Sequence, residues 1–364
     1  MTRIIEILKK NNIECLPSER FTLDVEMFPE YEEEHNFPKQ VLFETPELTG
    51  GKKKITESNH SYFRYFLDGS QRSYRVIDAT FNKRYLPICG GQIGVAILER
   101  NEGSQFKPIR ELTKIENIIA FPNDLDGYYL KQIEDQINSQ ITRPFRLIQY
   151  DSKKEEKDPA DLARAMIISE MQRLELSTIR KMIKENLITD TKWLAKDGSL
   201  QYRDEKIKDL DISKDDQVQL RYVIGLSKSF SPNLTLGIGR KKEDVGNLTK
   251  GLDWKERSTV ISPNKDEKTT HAWWYLRIRP RDKIYYPLQG IVKIEVFVDD
   301  SEKFNDGISR SRADTIASHV LLERNVTPFK ADNRWASHLY PIYLTENYLK
   351  SSFLSHDRFK ALII

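Results

Sequence analysis

Two Asp-Gly-Ser sequences, Asp68–Ser70 and Asp197–Ser199, each follow an apolar or aromatic stretch. Taken singly, Asp-Gly is a common turn. Taken as a pair, two carboxylates at the ends of neighbouring strands can share a divalent cation, and their hard oxygens suit Mg²⁺ or Mn²⁺. Glycine after each Asp lets a phosphate backbone approach without a side chain in the way. A third acid comes from Glu170 or Glu175, which are five apart and so not on one helix face. Glu175 lies four residues from both Met171 and Ile179. It is therefore either at the helix's solvated edge or turned into a pocket. Lys228 follows the apolar Tyr222–Leu226. Beside carboxylates it could hold a phosphate or steady transition-state charge; otherwise it is an exposed loop lysine.

The elements that must position these residues follow from periodicity. Ser61–Leu67 reads as a strand that turns at Asp68-Gly69-Ser70, and Tyr74–Asp78 and Gln92–Leu98 read as two more, with a break at Gly90-Gly91. Together they predict an antiparallel meander. Gly127–Ile141 reads as a helix. From Pro159, Leu162, Ala165, Ile168, Met171 and Leu174 recur at three-residue steps, and Ile179, Met182 and Ile183 continue the stripe. That predicts a long helix, capped by Asp158 or the preceding turn and bent or broken near Leu176-Ser177-Thr178. Lys192–Ala195 is a short strand leading to the second Asp-Gly-Ser. Tyr222–Leu226, Trp273–Ile278 and Ile291–Val298 read as strands, Ser309–Arg324 and Tyr343–Phe353 as helices. The layout is mixed α/β, and in such sheets sites gather where strands end and chain direction changes.

Ahead of this, residues 1–58 read as an irregular, polar N-terminal extension to a domain over 59–364. It holds an acidic run at Glu32–Glu34, a basic turn at Gly50–Lys54, and a short amphipathic helix carrying Ile4, Ile5 and Leu8.

The 364 residues carry a net charge of only +3, so nucleic-acid contact requires a local basic groove rather than an overall field. Basic clusters occur at Lys52–Lys54, at Arg240, Lys241 and Lys242, and at Arg277, Arg279 and Arg281, with Tyr275, Tyr285 and Tyr286 interleaved. Aromatic and basic residues together suit single-stranded nucleic acid. Yet Trp273, Tyr275 and Arg277 also alternate as a half-buried strand does. His271, His319 and His338 sit among apolar residues and read as satisfied interior histidines. The two cysteines, Cys15 and Cys89, are too few for a thiolate zinc site or a disulfide framework, which makes a cytoplasmic setting the default. No apolar run approaches the ~20 residues of a membrane-spanning helix.

The ordered set Phe66–Ser70 (FLDGS), Arg173–Leu176 (RLEL), Lys196–Leu200 (KDGSL), Val223–Lys228 (VIGLSK) and Leu339–Pro341 (LYP) resembles the motif pattern of NurA nucleases. The resemblance spans about Ser61 to Lys350. It implies a ribonuclease-H-like mixed central sheet flanked by helices and a Mn²⁺- or Mg²⁺-dependent deoxyribonuclease, an exonuclease that processes DNA ends. Carried over residue by residue, Asp68, Glu175 and Asp197 become metal ligands, with Lys228 and Tyr340 supporting substrate or site. The family places a histidine a turn or two after Tyr-Pro. Here no histidine follows until His356, which leaves Glu346, Asn347 or Tyr348 in that place.

The resemblance also implies partners: DNA, a second copy in a homodimer, and a HerA-type hexameric ATPase, in DNA repair or antiphage defence. The chain has no Gly-x-x-x-x-Gly-Lys-Ser/Thr loop, so the ATPase would be a separate chain. Two other readings share the same residues. One is a PIWI-like module that binds a guide strand; the other is an inactive nuclease-like adaptor for an ATPase ring.

Overall fold

In the computed structural model, residues 3–19, 40–48, 51–153, 157–202, 218–232, 235–238, 241–263, 271–305, 307–324 and 336–364 are described, with backbone alone at 235–238 and 241–243. Eight strands of five or more residues make the frame among them: β1 (Phe63–Phe81), β2 (Arg84–Arg100), β3 (Lys114–Pro122), β4 (Phe145–Tyr150), β5 (Trp193–Asp197), β6 (Val223–Ser227), β7 (His271–Arg277) and β8 (Ile291–Phe297). Four helices of twelve or more residues accompany them: α1 (Gly127–Gln140), α2 (Pro159–Lys184), α3 (Arg310–Glu323) and α4 (Tyr340–Ser351).

The strands form one mixed sheet in the order β7-β8-β6-β5-β1-β2-β3-β4. At its centre β6, β5 and β1 run parallel. β2 is antiparallel to β1 and to β3, and β4 is parallel to β3. On the other flank β8 is antiparallel to both β6 and β7. The chain thus builds β1, β2 and β3 outward in one direction, then returns through α2 to lay β5 and β6 on the opposite side of β1. The junction of β1 and β5 is the point where strand order reverses, the place where open α/β sheets collect ligands.

Strand alternation assigns the two faces. Tyr65 and Leu67 of β1, Val95 of β2, Leu194 of β5 and Val223 of β6 pack with Ile167, Leu174 and Ile179 of α2. Phe66, Ala195, Ile224 and Leu226 point the other way, onto Ile316 and Val320 of α3 and Ile342 of α4. α2 begins where the sequence predicts: the Asp158 side chain accepts from the Ala160 N–H, and Pro159 stands in the first turn. It does not break near Ser177. The hydroxyls of Ser177 and Thr178 donate to the Leu174 carbonyl within a continuous 26-residue helix, about 39 Å long.

The meander differs in detail. The first Asp-Gly-Ser is not a turn. It lies inside the 19-residue β1, where Asp68, Gly69 and Ser70 pair with Ala96, Val95 and Gly94 of β2. Nor do Gly90 and Gly91 interrupt β2, since both pair with β1 and with β3.

The described parts of the N-terminal segment join this frame. Helix Ile4–Lys10 buries Ile4, Ile5, Ile7 and Leu8 against Tyr74 and Ile77 of β1. Cys15–Pro17 pairs with β1, Val41–Leu42 with Ile261–Ser262, and Lys52–Lys54 with Glu256–Ser258. Both cysteines are free and buried. No described helix is long and apolar enough to cross a membrane.

Candidate active site

Asp68 shares a β1 face with Phe66, so its carboxylate points toward the α4 side of the sheet. In the parallel ladder Lys196 lies beside Leu67, and Asp197 beside Leu226. Asp197 therefore ends β5 next to Asp68, and Lys228 follows β6 next to Asp197. The second Asp-Gly-Ser is the predicted turn: Gly198 adopts φ +81° and donates to the Leu226 carbonyl, a conformation that favours glycine.

Four charged side chains meet here. Lys228 Nζ lies 2.9 Å from Asp197 Oδ2 and 3.7 Å from Glu346 Oε2. Asp68 accepts a 3.0 Å hydrogen bond from Ser70 Oγ. Burial, and then the negative charges of Asp197 and Glu346, push the Asp68 carboxyl well above the usual carboxylate range; Lys228 and Ser70 oppose this. Burial alone would lower the Lys228 pKa, but Asp197 and Glu346 outweigh it and raise the value above that of an ordinary lysine. Three carboxylates face one ammonium, and Lys350, 2.8 Å from Glu346, flanks them from one helical turn away.

Of Glu346, Asn347 and Tyr348, it is Glu346 that faces the cluster. It reaches the site from α4, whereas Tyr340, at that helix's start, is 44% exposed and meets Phe106 edge-on at 6.2 Å. Six residues along a helix separate the two by 240°, so they face different neighbours.

Glu175 is in a pocket, not at a solvated edge: it is 3% exposed. Yet it is on the α2 side of the sheet, opposite Asp68. A Cβ placed on Gly69 would fall 2.3 Å from Glu175 Oε1. The carboxylate accepts from Tyr202 Oη at 3.1 Å and lies 3.2 Å from Lys196 Nζ. Burial raises the Glu175 pKa, against Lys196 and Tyr202. Lys196 in turn donates to the carbonyls of Asp197 (2.8 Å) and Ser199 (3.1 Å). The structure therefore brings Asp68, Asp197 and Lys228 together with Glu346, and sets Glu175 behind them, bracing the Asp197 turn.

Glu295 braces the same turn from β8. It accepts from Ser199 Oγ at 2.7 Å and the Leu200 N–H at 2.8 Å, and pairs with Lys293 at 2.8 Å. Lys196 and Glu295 escaped notice in the sequence, although a charge inside an apolar strand run is itself a sign of a buried partner. Among the described residues, no group of three or more His, Cys, Asp and Glu is arranged to hold a metal ion.

The basic clusters land elsewhere. Arg277 is buried and donates to the carbonyls of Leu252, Thr249, Pro287 and Gln289. Burial, with Arg281 nearby, lowers its pKa to about 10. Arg279 is also buried and donates to the Ala336 carbonyl. Both belong to the interior rather than to a surface groove, because β7 is buried on both faces. Arg240 lies outside the described residues, while Lys241 and Lys242 pair through the backbone with Ile238 and Gly237. Of the interleaved tyrosines, Tyr275 is buried and Tyr285 and Tyr286 are exposed. His271, His319 and His338 are all buried, as the sequence predicts. No protein-family model matches the chain, and no curated protein matches it.

Proposed function

We propose that this chain is a metal-dependent deoxyribonuclease of ribonuclease-H-like, NurA-like type. The observation that carries the reading is the buried excess of carboxylate over ammonium at the β1/β5 junction. Asp68, Asp197 and Glu346 converge there on Lys228, with Lys350 pairing Glu346 from its outer side.

The donors are of the kind a hard divalent cation takes, although the three carboxylates are not gathered into a metal-holding group. All are carboxylate oxygens, and burial first, then the charges of Asp197 and Glu346, raises the Asp68 pKa. Asp68 and Asp197 would hold Mn²⁺ or Mg²⁺, with Glu346 as a third donor in place of the family histidine. Such an ion supplies Lewis acidity toward a phosphoryl oxygen and lowers the pKa of bound water. Lys228, held by Asp197, is placed to turn toward a scissile phosphate. Glu175 acts through Lys196, keeping the Asp197 turn in place. The meander, the return through α2 and the acids at the order-reversing junction support the ribonuclease-H-like part of the reading. DNA as substrate, end-directed cleavage, a homodimer and a HerA-type ATPase in repair or antiphage defence follow from the motif resemblance.

The test is degradation of end-labelled single- and double-stranded DNA with Mn²⁺, Mg²⁺ or chelator, with Asp68→Ala alongside. Metal-dependent cleavage lost in the variant supports the reading. Cleavage undiminished in a folded Asp68→Ala protein would sink it.

One observation favours the adaptor reading. Lys228 already neutralises part of the acidic cluster through Asp197 and Glu346. A protein that shows no direct Mn²⁺ binding by calorimetry, yet captures a hexameric ATPase, would favour that alternative.

A further inference from the structure

A cavity of about 560 Å³ opens between the β2 end and the start of α4, a volume ordinary for a nucleotide-sized ligand. Its lining includes Arg100, Phe106, Arg324 and Tyr340. It is on the same side of β1 as Asp68. The Arg100 guanidinium lies 5.1 Å over the ring of Phe66 and 5.3 Å over that of Phe106. Phe66 precedes Asp68 by two residues on one strand face, a step of about 7 Å. Tyr340 and Phe106, in edge contact, give the cavity an aromatic wall. Arg100 is paired with Glu323, which also lines the cavity, whereas Arg324 is paired with Glu57, which does not. Both guanidinium groups of the lining are therefore ion-paired, Arg324 with a carboxylate that stands outside the cavity and that a phosphate inside it would displace.

Aromatic faces for a base beside guanidinium groups for a backbone are the chemistry of single-strand recognition. We infer that this cavity is a subsite for one nucleotide of a single-stranded nucleic acid, its base against Tyr340 and Phe106 and its phosphate toward Arg324. Tyr340 and Pro341 of its lining begin α4, the helix that carries Glu346 to the acidic cluster, and a role for the subsite in cleavage rests on the nuclease reading. Binding in the subsite does not, because no metal ion takes part.

The experiment is fluorescence anisotropy of a fluorescein-labelled oligothymidylate with the full chain in chelator, where no cleavage occurs. Tyr340→Ala should weaken binding about tenfold, the loss of one stacked base. Tyr340→Phe, which keeps the ring, should stay within about twofold of wild type. Tyr128→Ala removes a tyrosine exposed on α1 and serves as the control for general surface effects. An oligonucleotide carrying 2-aminopurine should be quenched on binding the wild-type protein, a readout that needs no variant. Equal affinity of Tyr340→Ala and wild type, or absence of quenching, would overturn the subsite. Tyrosine-dependent binding with cleavage undiminished in a folded Asp68→Ala protein would leave the subsite standing and remove the nuclease reading; metal-dependent cleavage lost in Asp68→Ala, with equal affinity of Tyr340→Ala and wild type, would do the opposite.

Discussion

Glu175 and Asp68 are on opposite faces of the same strand, with Gly69 between them: Glu175 closes over the bare Cα of Gly69, and Asp68 turns toward α4. The two acids therefore do different work. Asp68 contributes charge to the site, and Glu175 holds Lys196 and, through it, the turn that presents Asp197.

That division predicts different consequences for two conservative changes. Asp197→Asn should weaken Mn²⁺ binding by at least tenfold in calorimetry. Glu175→Gln should leave the affinity within about threefold and change stability little, since burial already raises the Glu175 pKa in the folded protein and Lys196 keeps its two carbonyl acceptors. Equal loss of metal binding in both variants would return Glu175 to the ligand set.

Gly69→Ala tests the same contact from the strand side. The added methyl group meets the buried Glu175 carboxylate, and overpacking of this kind costs about 1–3 kcal/mol. In a double-mutant cycle, Glu175→Ala should recover part of that loss. Strictly additive denaturation energies would mean that the two residues do not touch.

Asp68 should show a conflict between stability and function. Its pKa is raised in the folded state by burial, Asp197 and Glu346. The protonated form is thus favoured by folding, and stability falls as pH climbs from the unfolded carboxyl value through the folded one. Asp68→Asn removes this repulsion. Its melting temperature at neutral pH should rise by about 2 °C while metal-dependent cleavage disappears. A lower melting temperature would mean that the Asp68 charge is compensated in the folded protein.

Glu295 has the opposite sign. Burial would raise its pKa, but Lys293 and His271 outweigh this and hold it below the usual glutamate value. Its contribution is present above the unfolded carboxyl pKa and is lost as pH falls through the depressed folded value. Glu295→Gln should therefore be less stable than wild type at pH 7, with the gap narrowing below about pH 4.5. A gap that is constant down to pH 3 would remove the ionised Lys293 pair as its cause.

Arg277→Ala should cost about 3 kcal/mol, because the carbonyls of Pro287 and Gln289 lose the Arg277 donor and those of Leu252 and Thr249 each lose one of two. The salt dependence of DNA binding should not change, since a buried arginine releases no counterions. A shallower salt slope in the variant would put Arg277 back on the nucleic-acid surface.

The elements legible in the sequence were those with a period of their own. The helical period of α2, its Asp158-Pro159 start and the β5 turn at Asp197 all stand close to where spacing puts them, but only the second half of the α2 stripe is the buried one: Ala165 is exposed, and Ala163, Ile167 and Glu170 take the inner positions ahead of Leu174. The first Asp-Gly-Ser read as a turn because its local chemistry matches that of the second. Only the partner strand distinguishes them: Ala96, Val95 and Gly94 of β2 extend the ladder across Asp68-Gly69-Ser70. Arg277 and Arg279 misled for a related reason. Alternating arginines mimic a wet strand face, and nothing local reveals the carbonyls waiting on the other side. Glu346 was visible only as one of three residues after Tyr340-Pro341; the choice among them depends on how α4 is rotated over β1 and β2.

The position of Glu346 also has a consequence in time. Asp68 and Glu346 are 278 residues apart (346 minus 68). At ribosomal rates of about 5–20 residues per second, roughly 15–55 s of synthesis pass between them. The first two carboxylates can meet as soon as β5 docks on β1, but the cluster stays one acid short until α4 emerges and packs. During translation the nascent chain carries an incomplete charge constellation beside every nucleic acid in its surroundings. Completion of the site is tied to the docking of α4, so its assembly acts as a built-in delay.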